Sequence, residues 1–461
     1  MLFNSLAFLF FLPVVFVLYW SAKSRLWQNR VVVLASMFFY GWWDWRFLLL
    51  MVATCLVNYF AASKIEDCCR KGGRKSWLWA VVALNIGLLA LFKYFNFFAE
   101  NVEAIFALFG LRADFPTLHV ILPIGISFYT FQLTAYVVDV YKRRLEACRS
   151  AEMFLGFICF FPQLVAGPIE RGSNLLPQFG VKRSFDRAMA TDGMRLFLWG
   201  LMKKMLVADN CAPVADFVFG NYGSLSTIDL WIGLLAFTVQ VYCDFSGYSD
   251  MAIGSAKLFG IRLSTNFNHP FMSTTIREFW RRWHMTLMGW LRDYVYFPLG
   301  GSRCSAPRHY ANMLALYMLS GLWHGANWSF VAWGTWNFFF NAITRKVVFP
   351  RPVGWFVTVA VFTLSQVFFR NPTIADGFAY MGKLFNFDGN LANTASRLPL
   401  ALTAALFAIE TLTVNHAHPF VFDRGRGVLK FRSVRMLIYA TAFVACIMFG
   451  GSTVQFIYFQ F

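Results

Sequence analysis

Long apolar runs constrain this chain more than any other feature of its sequence. Nearly unbroken hydrophobic stretches occupy residues 2–20, 77–98, 119–141, 228–243, 352–369 and 434–459. As a helix, about 20 such residues span the hydrocarbon core of a bilayer. Residues 31–63 form a longer block broken by "GWWDWR", the pattern of a helical hairpin. Only 14% of the 461 residues are charged while 58% are hydrophobic, too little charge to keep a folded surface dispersed in water. The expected fold is all-α: a polytopic integral membrane protein with about 11 transmembrane helices. Re-entrant or interfacial helices around a central polar tunnel are expected to complete it.

The first run, "MLFNSLAFLFFLPVVFVLYW", has no basic residues ahead of its apolar core and no small-residue cleavage site behind it. It is expected to stay as the first span rather than be removed as a signal peptide. The net charge of +18 raises nucleic acid as a partner, but the placement of the charge points elsewhere. Basic clusters recur at Lys23, Arg25 and Arg30, from Lys64 to Lys75, and from Lys142 to Arg149. Enough apolar chain separates successive clusters for two crossings, so all fall on one face. The positive-inside rule makes that face cytoplasmic and puts the N-terminus outside. No nucleic-acid partner is expected. The 9 cysteines show neither metal nor disulfide spacing, and Cys68 and Cys69 in a basic cytoplasmic loop are expected to be free thiols.

With no low-complexity linker and no internal repeat, residues 1–461 are expected to form a single membrane domain. Residues 1–141 read as a helical scaffold, 160–340 as the catalytic middle region and 352–461 as C-terminal helices. In the middle, polar side chains, glycines and tryptophans interrupt the apolar text. Irregular backbone at membrane depth survives only where protein or a water-filled cavity supplies hydrogen bonds. The interior there should be polar. "FFPQLVAGPIER" (160–171) and "ILPIGISFYTFQLTAYVVDVY" (121–141) place Pro, Gly and polar groups in apolar runs, as re-entrant or kinked segments do.

Three stretches concentrate the chemistry. In "NHPFMSTTIREFWRRWHMTLMGWLRDYVYFPLGGSR" (268–303), one amphipathic helix is predicted from an N-cap at Ser273 or Thr274 to about Asp293. Phe279, Trp280, Trp283, Leu287, Trp290 and Leu291 form its apolar side; Arg277, Arg281 and Arg282 form a basic one, with His284 at its edge. Such a helix suits an interfacial position with arginines at headgroups, and it equally suits docking a phosphate-bearing donor such as coenzyme A. In "LSGLWHGANWSF" (319–330), His324 lies in a run apolar enough to be embedded. Ionisable groups at membrane depth face the interior or a cavity, so His324 is a candidate general base. A histidine merely hydrogen-bonded between helices is the plainer alternative. Gly321 and Gly325, one turn apart, would let another backbone or a substrate come close. In "QVYCDFSGYSDMAIG" (240–254), Gln240, Asp244 and Tyr248 share a helical face and Asp250 follows. These groups fit either an orienting partner for a histidine or a partner for arginines such as Arg281. Walker A, GxGxxG and GxSxG motifs are absent from the sequence. "HPFVFD" (418–423) has an H-x4-D spacing and "HAH" (416–418) a faint metal spacing; both read as loop, and no metal is expected.

Together these segments resemble the membrane-bound O-acyltransferase family, in the bacterial branch that O-acetylates alginate and other polysaccharides. "FFPQLVAGPIER" and the closing "QFIYFQF" add to the likeness, which covers nearly the whole chain. Cys243 departs from it, standing where a bulky apolar residue is expected. The resemblance implies a helical bundle whose tunnel meets near the deeper histidine. It also implies a cytosolic acyl thioester donor, acetyl-CoA as substrate rather than a resident cofactor, and a hydroxyl acceptor outside the cytoplasm. His324 and His284 match the family's two functional histidines. On this reading His324 is the base, His284 positions the acyl group or stabilises the oxyanion, and Asn327, Asp244 and Tyr248 orient. Arg277, Arg281, Arg282 and Trp283 hold the donor. The acceptor would be a polysaccharide or a partner acetyltransferase, and the location the bacterial inner membrane. D-alanyl transfer toward teichoic acid and a non-enzymatic flippase for lipid-linked sugars are the rival readings.

Overall fold

The computed structural model describes all residues except 69–70, 112–114, 119–120, 387–394, 422–429, 451–455 and 458–461. Cys69, Asp423 and all of the closing "QFIYFQF" but Phe456 and Ile457 therefore lie outside the described residues. Regular structure among the described residues is helical, with no strand. Two compact units form, Met1–Asp186 with Phe259–Leu263, and Arg187–Leu258 with Ser264–Phe461. Among the described residues, 5 helical runs are long and apolar enough to cross a membrane: Trp45–Asp67, Gly72–Leu108, Thr227–Leu258, Arg351–Arg370 and Arg432–Phe449. The chain is an all-helical, membrane-embedded protein.

The first unit contains α1 (Leu6–Ser21), α2 (Arg25–Gly41), α3 (Trp45–Asp67), α4 (Lys71–Leu89), α5 (Phe95–Leu108), α6 (Ile126–Tyr141), α7 (Ala151–Cys159), α8 (Phe161–Leu164) and α9 (Gly172–Phe179). The predicted hairpin is α2 and α3. Asp44 caps the second arm by accepting from the Arg46 amide at 2.8 Å. A π turn at Ala90–Tyr94 joins α4 to α5. The span expected from residue 119 begins as a helix only at Ile126. Gly125, with φ of +77°, turns the chain so tightly that a Cβ there would lie 2.6 Å from the Leu164 carbonyl oxygen. Residues 161–170 are all buried, and the Gln163 amide donates to the Phe157 carbonyl at 2.6 Å. Along α1, Leu6, Phe10, Val14 and Leu18 point outward, an apolar row that suits lipid rather than water.

The second unit contains α10 (Arg187–Met202), α11 (Asp209–Gly220), α12 (Thr227–Leu258), α13 (Ile276–Arg282), α14 (Met285–Leu291), α15 (Ala306–His324), α16 (Trp328–Thr344), α17 (Arg351–Arg370), α18 (Ile374–Leu384), α19 (Leu398–Leu412) and α20 (Arg432–Phe449). Its axis is α12, 32 residues long and 83% buried over its most apolar window. Helix α10 lies against it through facing glycines: a Cβ on Gly200 would stand 2.4 Å from the Gly247 carbonyl, and one on Gly193 2.6 Å from that of Gly254. Small residues of this kind let helices meet backbone to backbone. The same device seats α15 on α16, where a Cβ at Gly321 would lie 2.1 Å from the Phe330 carbonyl oxygen. Gly321 thus meets the backbone approach expected of it, whereas Gly325 is closed upon by the Phe330 side-chain ring rather than by a backbone. On α20 the outward residues Met436, Leu437, Val444, Ile447 and Met448 are again apolar.

Buried charge holds α12 to its neighbours. A π turn at Lys203–Ala208 carries two adjacent lysines inward. Lys203 pairs with Asp250 at 2.6 Å and donates to the Ser246 hydroxyl at 2.9 Å. Lys204 pairs with Asp244 at 2.6 Å and Asp209 at 2.8 Å. Nearby on α12, Tyr242 donates to the buried Glu410 carboxylate. The other Asp244 oxygen accepts from the Ile457 amide at 2.7 Å.

Candidate functional site

The site is assembled at a break in a helix. The single amphipathic helix predicted from Ser273 or Thr274 to about Asp293 is in fact two, α13 and α14, separated at Trp283 and His284. Its cap is Thr275, whose hydroxyl accepts from the Glu278 amide at 3.1 Å, while the Glu278 carboxylate accepts from the Thr274 amide at 3.0 Å. The cap thus falls one residue later than Thr274, with the Glu278 carboxylate reaching back past it. His284 then adopts a left-handed conformation, φ 42° and ψ 52°, uncommon for a residue with a side chain. The strand of loop just upstream makes this tolerable. The Asn266 carbonyl accepts from the Met285 amide at 2.8 Å, and the Arg282 carbonyl accepts from the Asn268 amide at 2.9 Å. Backbone bonds lost by breaking the helix are thus remade to residues 266–268.

The expected apolar side is buried throughout: Phe279, Trp280, Trp283, Leu287, Trp290 and Leu291 all belong to the core. Trp283, expected as a donor contact, lies among these buried side chains. It stacks on Phe279 at 5.5 Å and packs on Phe362 at 4.7 Å, away from solvent. Arg277 and Arg281 are exposed. Arg282 is held back by Glu278 at 2.8 Å.

His284 and His324 come together. Both are buried, 1% and 4% exposed, with ring centroids 6.5 Å apart and planes inclined by 59°. His284 packs edge-on against Phe245 of α12 at 4.7 Å and lies 5.5 Å from Trp323. His324, the last residue of α15, lies 5.2 Å from Trp333 and 5.4 Å from Phe369. Two imidazoles 40 residues apart in sequence thus share one cluster of aromatic rings. His284 Nδ1 is 3.1 Å from Asn266 Oδ1, whereas its Nε2 is buried and makes no hydrogen bond. The indole nitrogens of Trp280 and Trp333 are likewise buried without a hydrogen-bond acceptor. Buried polar atoms left in this state are costly.

The other predicted site residues lie elsewhere. Asn327 caps α16, its Oδ1 accepting from the Ser329 amide at 2.8 Å and its amide donating to the Pro372 carbonyl at 2.8 Å. Asp244 meets neither a histidine nor an arginine; its partners are Lys204 and the Ile457 amide. Tyr248 packs on Phe456 at 4.7 Å. The helix carrying them does reach the site, but through Phe245. His418, in the "HPFVFD" stretch, bonds Asp192 at 3.0 Å. Among the described residues no cluster of three or more His, Cys, Asp or Glu is placed to hold a metal. Sequence reasoning missed Asn266, Lys203 and Lys204. The only local signal for the lysines was a charged pair, "KK", inside the apolar text of 196–208.

A family model described as "MBOAT, membrane-bound O-acyltransferase family" matches residues 149–369, a segment that includes both histidines. A protein of Azotobacter vinelandii named "Probable alginate O-acetylase AlgI" is 38% identical over 425 residues, 90% of this chain and 84% of that protein. The "Peptidoglycan O-acetyltransferase" of Helicobacter pylori is 38% identical over 410 residues, 80% of this chain and 77% of its own. The "Teichoic acid D-alanyltransferase" of Bacillus subtilis is more distant, 27% identical over 227 residues, 46% of this chain and 56% of that protein. With an all-helical, membrane-embedded structure and relatives 38% identical over most of both chains, the likeness settles the family: the chain is an acyltransferase of the membrane-bound O-acyltransferase family.

Proposed function

We propose that this enzyme moves a short acyl group, acetyl, from a cytosolic thioester to a hydroxyl on the outer side of the bacterial inner membrane. The acceptor is an extracytoplasmic polysaccharide or a partner acetyltransferase that passes the group on. Acetyl-CoA approaches from the cytoplasm, its phosphates met by the exposed Arg277 and Arg281. Guanidinium groups suit such contacts through bidentate hydrogen bonding. The acceptor hydroxyl enters between the imidazoles and gives up its proton to the pair as its oxygen attacks the thioester carbonyl. About 11 spans, an outward N-terminus and a tunnel joining the two faces complete the proposal.

One observation carries it: two buried imidazoles, 6.5 Å apart, one with an unbonded ring nitrogen. Two hydrogen bonds of about 2.8 Å to one shared oxygen span such a gap. The names of the relatives favour acetyl over D-alanyl and polysaccharide over other acceptors. The test is the purified protein in proteoliposomes supplied with labelled acetyl-CoA, alongside a D-alanyl carrier-protein thioester. Release of label from acetyl-CoA that depends on both histidines supports the reading. Turnover of the D-alanyl thioester alone, or passage of lipid-linked sugar without acyl release, overturns it.

A further inference from the structure

One helical run of the first unit is longer than a bilayer is thick. Gly72–Leu108 has 37 residues, about 55 Å at 1.5 Å per residue, whereas a bilayer is about 30 Å across its hydrocarbon and about 40–45 Å with its headgroups. The run starts beside the basic cluster of residues 64–75, cytoplasmic in the topology proposed above. About 10 Å or more, close to two turns, therefore stands clear of the outer headgroups. Those turns are not polar. Residues 104–111, "AIFALFGL", are apolar and every one is exposed; Leu108 is 84% exposed and Phe109 75%.

The polar side of α5 is occupied by its own chain. The Leu118 amide donates to Asn96 Oδ1 at 2.9 Å, and the Asn96 side-chain amide donates to the Leu118 carbonyl at 3.0 Å. The Phe115 amide donates to the Glu103 carboxylate at 2.8 Å. The apolar side is open, and no residue of α5 is buried. At its foot a groove of about 410 Å³ passes from the span into α5, lined by residues that include Gly87, Ala90, Phe95, Phe98, Val102 and Phe115. A Cβ on Gly87 would meet no atom of the described residues within 4 Å, unlike Gly200 and Gly321, where another helix fills that space. Lipid covers only the lower part of this surface, because acyl chains end at the headgroups. Nor is α5 built to lie on a membrane: it carries two glutamates and no basic residue, where surface helices turn Lys and Arg toward anionic headgroups. A contiguous apolar face left open in this way marks a protein contact.

We infer that α5 and this groove are the docking surface for an extracytoplasmic protein tethered to the membrane by an apolar helix. The tether lies in the groove, and the chain emerging from it covers Ile105, Leu108 and Phe109. An anchored protein is the occupant that is apolar at the groove and still present beyond the headgroups, as the surface is. Small residues on the groove floor let such a helix come close. The inference rests on the topology and acceptor proposed above, and it gives the partner acetyltransferase a place on this chain.

Photo-crosslinking in the cells that make this protein tests the surface. p-Benzoylphenylalanine at Phe98, Ile105 or Phe109 is expected to give an adduct with one further protein, which has an apolar segment of about 20 residues and its bulk outside the cytoplasm. The same group at Phe10, on the outward row of α1, is expected to give no protein adduct. No adduct, lipid adducts alone, an adduct at twice the mass of this chain, or the same protein caught equally at Phe10 overturns the inference. The double change Ile105→Asp, Phe109→Asp should lower acetylation of the acceptor polymer in those cells by about tenfold or more. The purified double variant should release label from acetyl-CoA in proteoliposomes as wild type does. Undiminished acetylation in the cells, or a folded variant that has lost the release as well, also overturns it. Where the double variant does not insert, the adducts decide, since each benzoylphenylalanine replaces one outward apolar side chain. Wild-type protein that releases no label from acetyl-CoA defeats the transfer reading instead, and leaves the adducts to judge the surface.

Discussion

Replacing Lys204 by Met should damage this protein more than almost any other single substitution outside the two-histidine cluster. The lysine is 1% exposed, and the Asp244 and Asp209 side chains it bridges are 3% exposed each, at 2.6 and 2.8 Å. At an effective dielectric of 20, each contact is worth roughly 6 kcal/mol of attraction. Desolvation of the three ions, several kcal/mol apiece, opposes this. The net worth of the group is small, yet removal of its cation leaves two buried carboxylates facing each other. Losing one member of a buried pair costs about 3–5 kcal/mol. Methionine keeps the volume, so little of the loss comes from a cavity. Thermal unfolding in detergent, followed by tryptophan fluorescence, should show a markedly lower midpoint for Lys204→Met. The triple change Lys204→Met, Asp244→Asn, Asp209→Asn should regain more than half of it, because the charges it would strand are gone. A single variant within 1 kcal/mol of wild type, or a triple variant no better than the single, would refute the electrostatic account of how α12 is held.

Other expectations follow from particular contacts. His324→Ala should reduce acetyl transfer by about 10²–10⁴-fold while the protein still elutes as a folded species; full activity in a transfer assay removes His324 from the chemistry. Arg277→Ala with Arg281→Ala should raise KM for acetyl-CoA and leave kcat alone, and unchanged donor dependence would reduce these arginines to topology. Gly321→Val should lower the unfolding midpoint by the equivalent of about 1–3 kcal/mol, since its Cβ would stand 2.1 Å from the Phe330 carbonyl; an unchanged midpoint contradicts the packing. The His418 and Lys257 bonds hold the Asp192 carboxyl below the usual carboxylate range. Stability from this depressed group is present above its unfolded value near 4 and lost as pH falls through the folded one. Asp192→Asn should therefore flatten part of the acid limb of stability against pH, and identical limbs for both proteins would exclude the contribution.

The parts of this fold that depend on local pattern were legible in the sequence. Apolar periodicity marked most helices, "GWWDWR" marked the hairpin corner, and Gly321 marked a close crossing. The pairing of His284 with His324 came from the family likeness. What local pattern missed has a common physical origin. The helix through 274–293 looked continuous because its periodicity is unbroken, whereas the break depends on bonds from Asn266, 18 residues upstream. Asp244 looked like a catalytic support because a carboxylate inside a span needs a partner, but that partner is Lys204 on another helix. Trp283 was placed on the apolar side of that helix by its periodicity, and it is buried as that pattern requires.

The length of α12 bears on the shape of the substrates. A helix rises about 1.5 Å per residue, so Phe245, the contact to His284, lies about 27 Å along the axis from Thr227 and about 20 Å from Leu258. Chemistry fixed near the middle of so long a rod is remote from either end. For the transfer proposed here, nothing bulky needs to travel that distance. A thin, pliable thioester arm threaded from one end and a slender hydroxyl-bearing tip from the other are the forms that fit, and rigid or branched donors should be poor substrates whatever their leaving group.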